Sequence, residues 1–206
     1  MTVSHASPAA PSRLRVLHDG SKPDLVAAEA AAAAFMTALR IPLDHPDLVD
    51  TPRRLAHAYA ELLEVPEYDF TTFPNEEGYD ELVLVQDIPV QSVCEHHLLP
   101  FRGVAHVGYL PAARIVGLSK LARTVDHFAR RPQTQERLTM QVARHLEERL
   151  SPRGVGVVIE AEHSCMTLRG ARAPGTRTVT SSLLGHLRHE PAARAEFLSL
   201  TRRDDR

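Results

Sequence analysis

The chain has no run approaching the ~20 consecutive apolar residues that a membrane-crossing helix needs, and its first residues hold no continuous apolar core of a secretion signal. A soluble, cytoplasmic protein is expected. Net charge is nearly absent: 24 Lys and Arg against 26 Asp and Glu leave a formal charge of -2. Nothing therefore draws the whole chain to nucleic acid or an anionic membrane, and any phosphate must be held by a few locally placed cations. Cysteine is scarce, with Cys94 and Cys165 the only two. A single disulfide between them is disfavoured in a reducing compartment, and thiols accompanied by histidines suggest a metal instead. Internal repeats are also lacking. The 206 residues, 43% hydrophobic and 24% charged, suffice for one substantial core but are short for two, so one catalytic domain is expected.

What is present divides into three stretches. Residues 1 to about 20 mix Pro, Ser and Ala without periodicity and read as a flexible arm. A helical lobe over about 21–65 follows. Its first helix lies in DLVAAEAAAAAFMTALR, with Ser21 and Asp24 as candidate caps and Ile41-Pro42 closing it. The second opens with Thr51 as cap and Pro52 at the first helical position, and runs through RRLAHAYAELL.

From about residue 80 the pattern changes to strands. ELVLVQDIPVQSV, GVAHVGYL and ARIVG succeed one another, which predicts antiparallel pairing. Ser119 opens a helix carrying Leu121, Ala122, Val125 and Phe128 on one face. Past Pro132 a second helix places Leu138, Val142, Leu146 and Leu150 at four-residue spacing, an apolar stripe that ends at Ser151-Pro152. A last strand pair, GVGVVIEAEHSCM and TRTVTSS, precedes a helix from Pro191. This order predicts an α+β fold, an antiparallel sheet with helices on one face.

Chemistry concentrates at two places. Cys94-Glu95-His96-His97 ends a strand run, and His163 and Cys165 lie two apart in a later segment read as strand, where positions i and i+2 share a face. Zinc takes thiolate and imidazole, and catalytic sites commonly use three protein ligands with a fourth position for water. Cys94, one histidine and Cys165 meet that need. A four-ligand structural zinc would have to recruit the other histidines, which are better suited to proton transfer beside a catalytic metal. Iron or cobalt accept similar ligands.

Five motifs then occur in order: Thr51-Pro52-Arg53-Arg54, Cys94-Glu95-His96-His97, Gly117-Leu118-Ser119-Lys120, Arg131-Pro132-Gln133-Thr134-Gln135-Glu136-Arg137-Leu138, and His163-Ser164-Cys165-Met166-Thr167-Leu168-Arg169-Gly170. With them the sequence resembles the GTP cyclohydrolase I family over about residues 40–200. The resemblance implies the tunnelling fold (T-fold), whose small subunits join through sheet edges into a barrel, and a homodecamer of two stacked pentamers. It implies Zn2+ on Cys94, His97 and Cys165, with His96, His163 and Ser119 as catalytic residues.

The implied reaction is hydrolysis and rearrangement of GTP to 7,8-dihydroneopterin triphosphate with release of formate, the first step of tetrahydrofolate and pterin biosynthesis. Zinc-activated water attacks carbon-8 of a protonated guanine ring, and an imidazole titrating near neutrality suits the proton transfers. By the same resemblance Glu136 reads guanine, with Gln135 beside it. A carboxylate accepts two N–H bonds from guanine's pairing edge and rejects adenine. Lys120, Arg123 and Arg169 match the phosphate-binding positions, and Arg54 is a further substrate-binding candidate. Lys120 and Arg123 are three apart and share a helix face, near an N-terminus whose backbone donors favour anions.

The sequence departs from the family pattern at His57, where a lysine is usual, and at Thr134 and Ser164. Other tunnelling-fold enzymes act on purines or pterins, and a non-catalytic paralogue could keep metal and nucleotide. The complete Cys-His-Cys trio speaks against the first, and retention of both His96 and His163 against the second.

Overall fold

The computed structural model describes residues 22–202; the arm at 1–20 and the candidate cap Ser21 lie outside them. Helix α1 (Leu25–Ala38) is built of strong helix formers, and the Asp24 carboxylate caps it by accepting from the Ala27 N–H at 3.0 Å. Helix α2 (Thr51–Leu62) packs back on α1, with Met36 and Ala56 buried. Thr51 is its first helical residue, not its cap. Asp50 flanks the helix, and its carboxylate is drawn to Arg53 and Arg54 and caps no N–H.

The main sheet has five strands in the order β5-β2-β3-β6-β7. They are β2 (Val83–Cys94), β3 (Pro100–Leu110), β5 (Pro132–Gln133), β6 (Gly154–His163) and β7 (Thr178–Gly185). The three long pairings are antiparallel, as the succession of strand segments predicts. The two-residue β5 adds a parallel edge against Val93 and Cys94. The ARIVG segment does not join this sheet. Its strand β4 (Arg114–Val116) pairs instead with β1 (Thr72–Pro74), a three-residue strand too short to leave a periodic signal.

Alternation along the strands decides where the core sits. Ala105, Val107 and Tyr109 of β3 and Val155, Val157, Ile159 and Ala161 of β6 face the same side, where α3 (Leu118–Ala129) and α4 (Gln135–Leu150) cover them. Leu121 and Val125 of α3 and the whole predicted stripe of α4, Leu138, Val142, Leu146 and Leu150, are buried there. Burial of each large side chain contributes ~1.5–3 kcal/mol, which makes this interface the main support of the sheet.

The short helix α6 (His186–His189) and the C-terminal α7 (Pro191–Leu200) add a smaller cluster on the opposite face, joining Leu187 and Phe197 to Val158 and Leu183. Phe197 fits because β3 and β6 carry glycines beneath it. A Cβ at Gly156 would lie 2.7 Å from the ring. Among the described residues no helix is long and apolar enough to cross a membrane.

Candidate metal centre

The turn from β2 to β3 is wound around Cys94. The Cys94 N–H donates to the Leu99 carbonyl at 2.8 Å, and the N–H groups of His97 and Leu98 return to the Cys94 carbonyl at 3.3 and 2.8 Å. Leu98 takes a left-handed φ of 53° to close the turn, and its carbonyl accepts from the Tyr59 hydroxyl of α2 at 2.8 Å. The helical lobe thus braces this loop.

Cys165 reaches the same place by another route than the shared strand face. β6 stops at His163, and Cys165 sits in the single helical turn α5 (Ser164–Thr167). The corner, rather than an i, i+2 alternation, directs the thiol inward. The donor atoms of Cys94, His97 and Cys165 all lie within 4.8 Å of one another. His96 also approaches Cys94, with Nδ1 3.8 Å from Sγ against 3.9 Å for Nδ1 of His97.

This trio fits a metal by its donor chemistry: two free thiols and an imidazole converge, and bonds of ~2.0–2.3 Å need only a small contraction of the group. Burial first, and then the neighbouring Cys94, push the Cys165 thiol pKa up, while Arg169 pulls the other way. A cation among the sulfurs reverses that balance in favour of thiolate.

His163 lies beside the trio. Its ring stacks on Phe101, its partner across the β3–β6 ladder, at 4.5 Å and 9°. Burial lowers its pKa, and the charge of Glu136 opposes the shift. Nε2 of His163 is 2.8 Å from Oε1 of Gln135. Gln135 is only 2% exposed, and its Nε2 donates to the carbonyls of Ile159 and Thr178, both at 2.9 Å. Every polar atom of its side-chain amide is therefore engaged within the chain. Glu136, next to it, is exposed on the first turn of α4.

The predicted cations differ in standing. Lys120 and Arg123 lie on α3, where Ser119 is the second helical residue after the cap position Gly117, and neither forms an ion pair among the described residues. Arg169 is exposed just beyond α5, close enough to influence Cys165. Arg54 is not a free cation: Asp50 holds it at 3.4 Å, an i, i+4 pair at the start of α2. His57 is exposed on α2.

Two supporting residues escaped the sequence reading. Glu95 pairs with Arg137, whose Nε donates to Gln133 Oε1 at 2.8 Å and whose Nη2 also reaches the Pro132 carbonyl at 3.0 Å. The Glu95 N–H in turn donates to the Gln133 carbonyl at 3.0 Å. Both residues stand inside motifs, but nothing in a separation of 42 positions announces that they meet.

An α+β sheet carrying a Cys-His-Cys trio, with further imidazoles and Arg169 nearby, defines a candidate metal-dependent enzyme. The profile of the family described as GTP cyclohydrolase I matches residues 28–202. The chain is 55% identical over 179 residues to "GTP cyclohydrolase 1" of Streptomyces griseus subsp. griseus, covering 84% of this chain and 88% of that protein. It is 54% identical to the protein of that name from Thermobifida fusca, covering 84% and 86%, and 49% identical to that of Rhodopirellula baltica, covering 87% and 80%. This chain belongs to the GTP cyclohydrolase I family. Among solved structures, the apo form of an archaeosine synthase QueF-Like overlaps 50% of this chain and 93% of its own, with a TM-score of 0.41 and 18% identity.

Proposed function

We propose that this protein is a zinc-dependent GTP cyclohydrolase that converts GTP to 7,8-dihydroneopterin triphosphate and formate at the entry to tetrahydrofolate and pterin synthesis. The observation that carries the reading is the convergence of the Cys94, His97 and Cys165 donor atoms within 4.8 Å in a chain of this family. Zinc on these three residues supplies Lewis acidity, which makes water a competent nucleophile at neutral pH.

The chain's own residues do the rest. His163, part-buried and stacked on Phe101, and His96, exposed on the metal loop, move protons to and from the guanine five-membered ring and the leaving nitrogen. Ser119, at the start of α3, is the third catalytic candidate. Glu136 is free to accept from guanine's adjacent N–H groups. Lys120, Arg123 and Arg169 hold the triphosphate through charge-assisted bonds. Arg54 joins them only by leaving Asp50.

The helical lobe over about 21–65 is an extension braced on the metal loop by Tyr59, and the catalytic T-fold spans about 80–206. The sheet, covered on one face by α3 and α4, leaves edges through which copies could join into a ring, and a cytoplasmic homodecamer of two pentamers is the assembly proposed. Formate release from GTP and growth of pterin fluorescence, with metal measured on the same sample, test the function. A zinc-loaded protein that leaves GTP intact refutes it.

A further inference from the structure

The amide of Gln135 can be oriented in only one way. One end faces the backbone carbonyls of Ile159 and Thr178, each at 2.9 Å, and a carbonyl can only accept. That end must be the NH2 group, which also lies 3.1 Å from Thr180 Oγ1. The other end is then the oxygen, an acceptor, and it lies 2.8 Å from Nε2 of His163. A hydrogen bond there requires a proton on Nε2.

Two further contacts fix the ring. It stacks on Phe101 at 4.5 Å and 9°, so its plane is set, and the ladder position opposite Phe101 sets its backbone. Nδ1 has no hydrogen-bond partner among the described residues. In the neutral imidazole the lone pair must then be on Nδ1. Gln135 itself cannot drift, because it is 2% exposed and tied to both β6 and β7.

We propose that Gln135 is a positioning residue that holds His163 in one orientation as the Nε2–H tautomer, with the lone pair on Nδ1. This deepens the cyclohydrolase reading and rests on it for its catalytic consequence. The side-chain amide then has no group left for the base, so a contact from Gln135 to guanine would come from its backbone.

The experiment uses zinc-loaded full-length protein labelled with 15N-histidine at mildly alkaline pH. The His163 signals are identified by their loss in His163→Ala. Wild-type protein is expected to show a protonated Nε2 and an unprotonated Nδ1; a protonated Nδ1 overturns the assignment, and this readout does not depend on the folding of Gln135→Leu. In Gln135→Leu the two tautomers are expected to mix, and kcat should fall about ten- to a hundredfold while KM for GTP stays within about twofold. An unchanged His163 spectrum in Gln135→Leu, or a raised KM with kcat intact, refutes the positioning role. Failure of wild-type protein to release formate refutes the proposed function instead, because the tautomer is read without turnover.

Discussion

Arg137, in the first turn of α4, closes an ion pair with Glu95, the residue that follows Cys94. The pair joins the metal loop to the helix that bears Glu136, and its side chains are only 19% and 22% exposed. Removing one partner leaves a largely desolvated charge. Glu95→Ala and Arg137→Ala are each expected to destabilise the fold by about 1–3 kcal/mol and to weaken zinc retention about tenfold or more. Denaturant midpoints and competition with a chromogenic chelator measure the two effects. Unchanged zinc affinity would show that the loop holds its shape without this brace.

Cys94→Ala, His97→Ala and Cys165→Ala should each lower bound zinc and abolish formate release, because each removes one of three ligands. His96→Ala and His163→Ala should keep most of the metal and lose turnover by about 100-fold or more, the usual scale of a lost proton-transfer group. Metal analysis and formate assay on the same samples separate the two groups. A metal-free Cys165→Ala protein with full activity would end the zinc mechanism.

The sequence disclosed the long elements because their periodicity is long. The α4 stripe from Leu138 to Leu150 and the strands pairing through Val107 and Val157 repeat a pattern that local chemistry alone produces. It concealed features that depend on meeting partners. The β1–β4 pair spans three residues on each side, below any periodic signal. The α5 corner bends the chain between His163 and Cys165 within a stretch that reads as strand. Residue types and motifs were enough to nominate Cys94, His97 and Cys165. They were not enough to show that Gln135 faces inward or that Arg54 is engaged with Asp50, since both facts depend on what surrounds the side chain.

Phe197 should be the latch of the C-terminal helix. Its ring is fully buried, over Gly108 and Gly156 of the sheet. Phe197→Ala is expected to cost about 3–5 kcal/mol, the range for an aromatic deleted from a packed site. Gly156→Ala should also destabilise, because its Cβ would press on three ring atoms at 2.7–2.8 Å. Urea midpoints check both. A Gly156→Ala protein as stable as wild type would mean that α7 shifts freely.

His145 gives the fold an acid sensitivity whose sign follows from its surroundings. Thr124 donates to the Lys120 carbonyl at 2.7 Å, so the Tyr68 hydroxyl donates to Thr124 and its oxygen is left to accept from Nε2 of His145 at 3.1 Å. Burial chiefly, then the charges of Arg149 and His127, lower the His145 pKa below 6.5, with Glu148 opposing. The unfolded chain then binds more protons than the native one, so stability declines as pH falls through 6.5 toward the lowered native value and levels off below it. His145→Gln keeps an amide donor for Tyr68 and cannot titrate. Its urea midpoint should fall less than that of wild type between about pH 7.5 and about pH 5.5. Equal losses in both proteins would assign the acid sensitivity to other groups.

β5 covers β2 only at Val93 and Cys94, so the outer side of β2 from Val83 onward has no strand partner among the described residues, and β7 is the opposite edge of the sheet. Two long open edges on one subunit are templates for pairing, and a head-to-tail ring satisfies both at once. Glu136 and the α3 cations Lys120 and Arg123 are exposed or half-buried in the single chain, which leaves room for a neighbour to complete a pocket around GTP. Turnover per subunit should therefore fall with the oligomer as the protein is diluted under saturating zinc. Replacing Val179 or Ser181 on β7 with proline removes an edge N–H and should dissociate the ring. Light scattering and formate release on the same dilution series make the comparison. A monomer with full activity per subunit would refute the shared pocket.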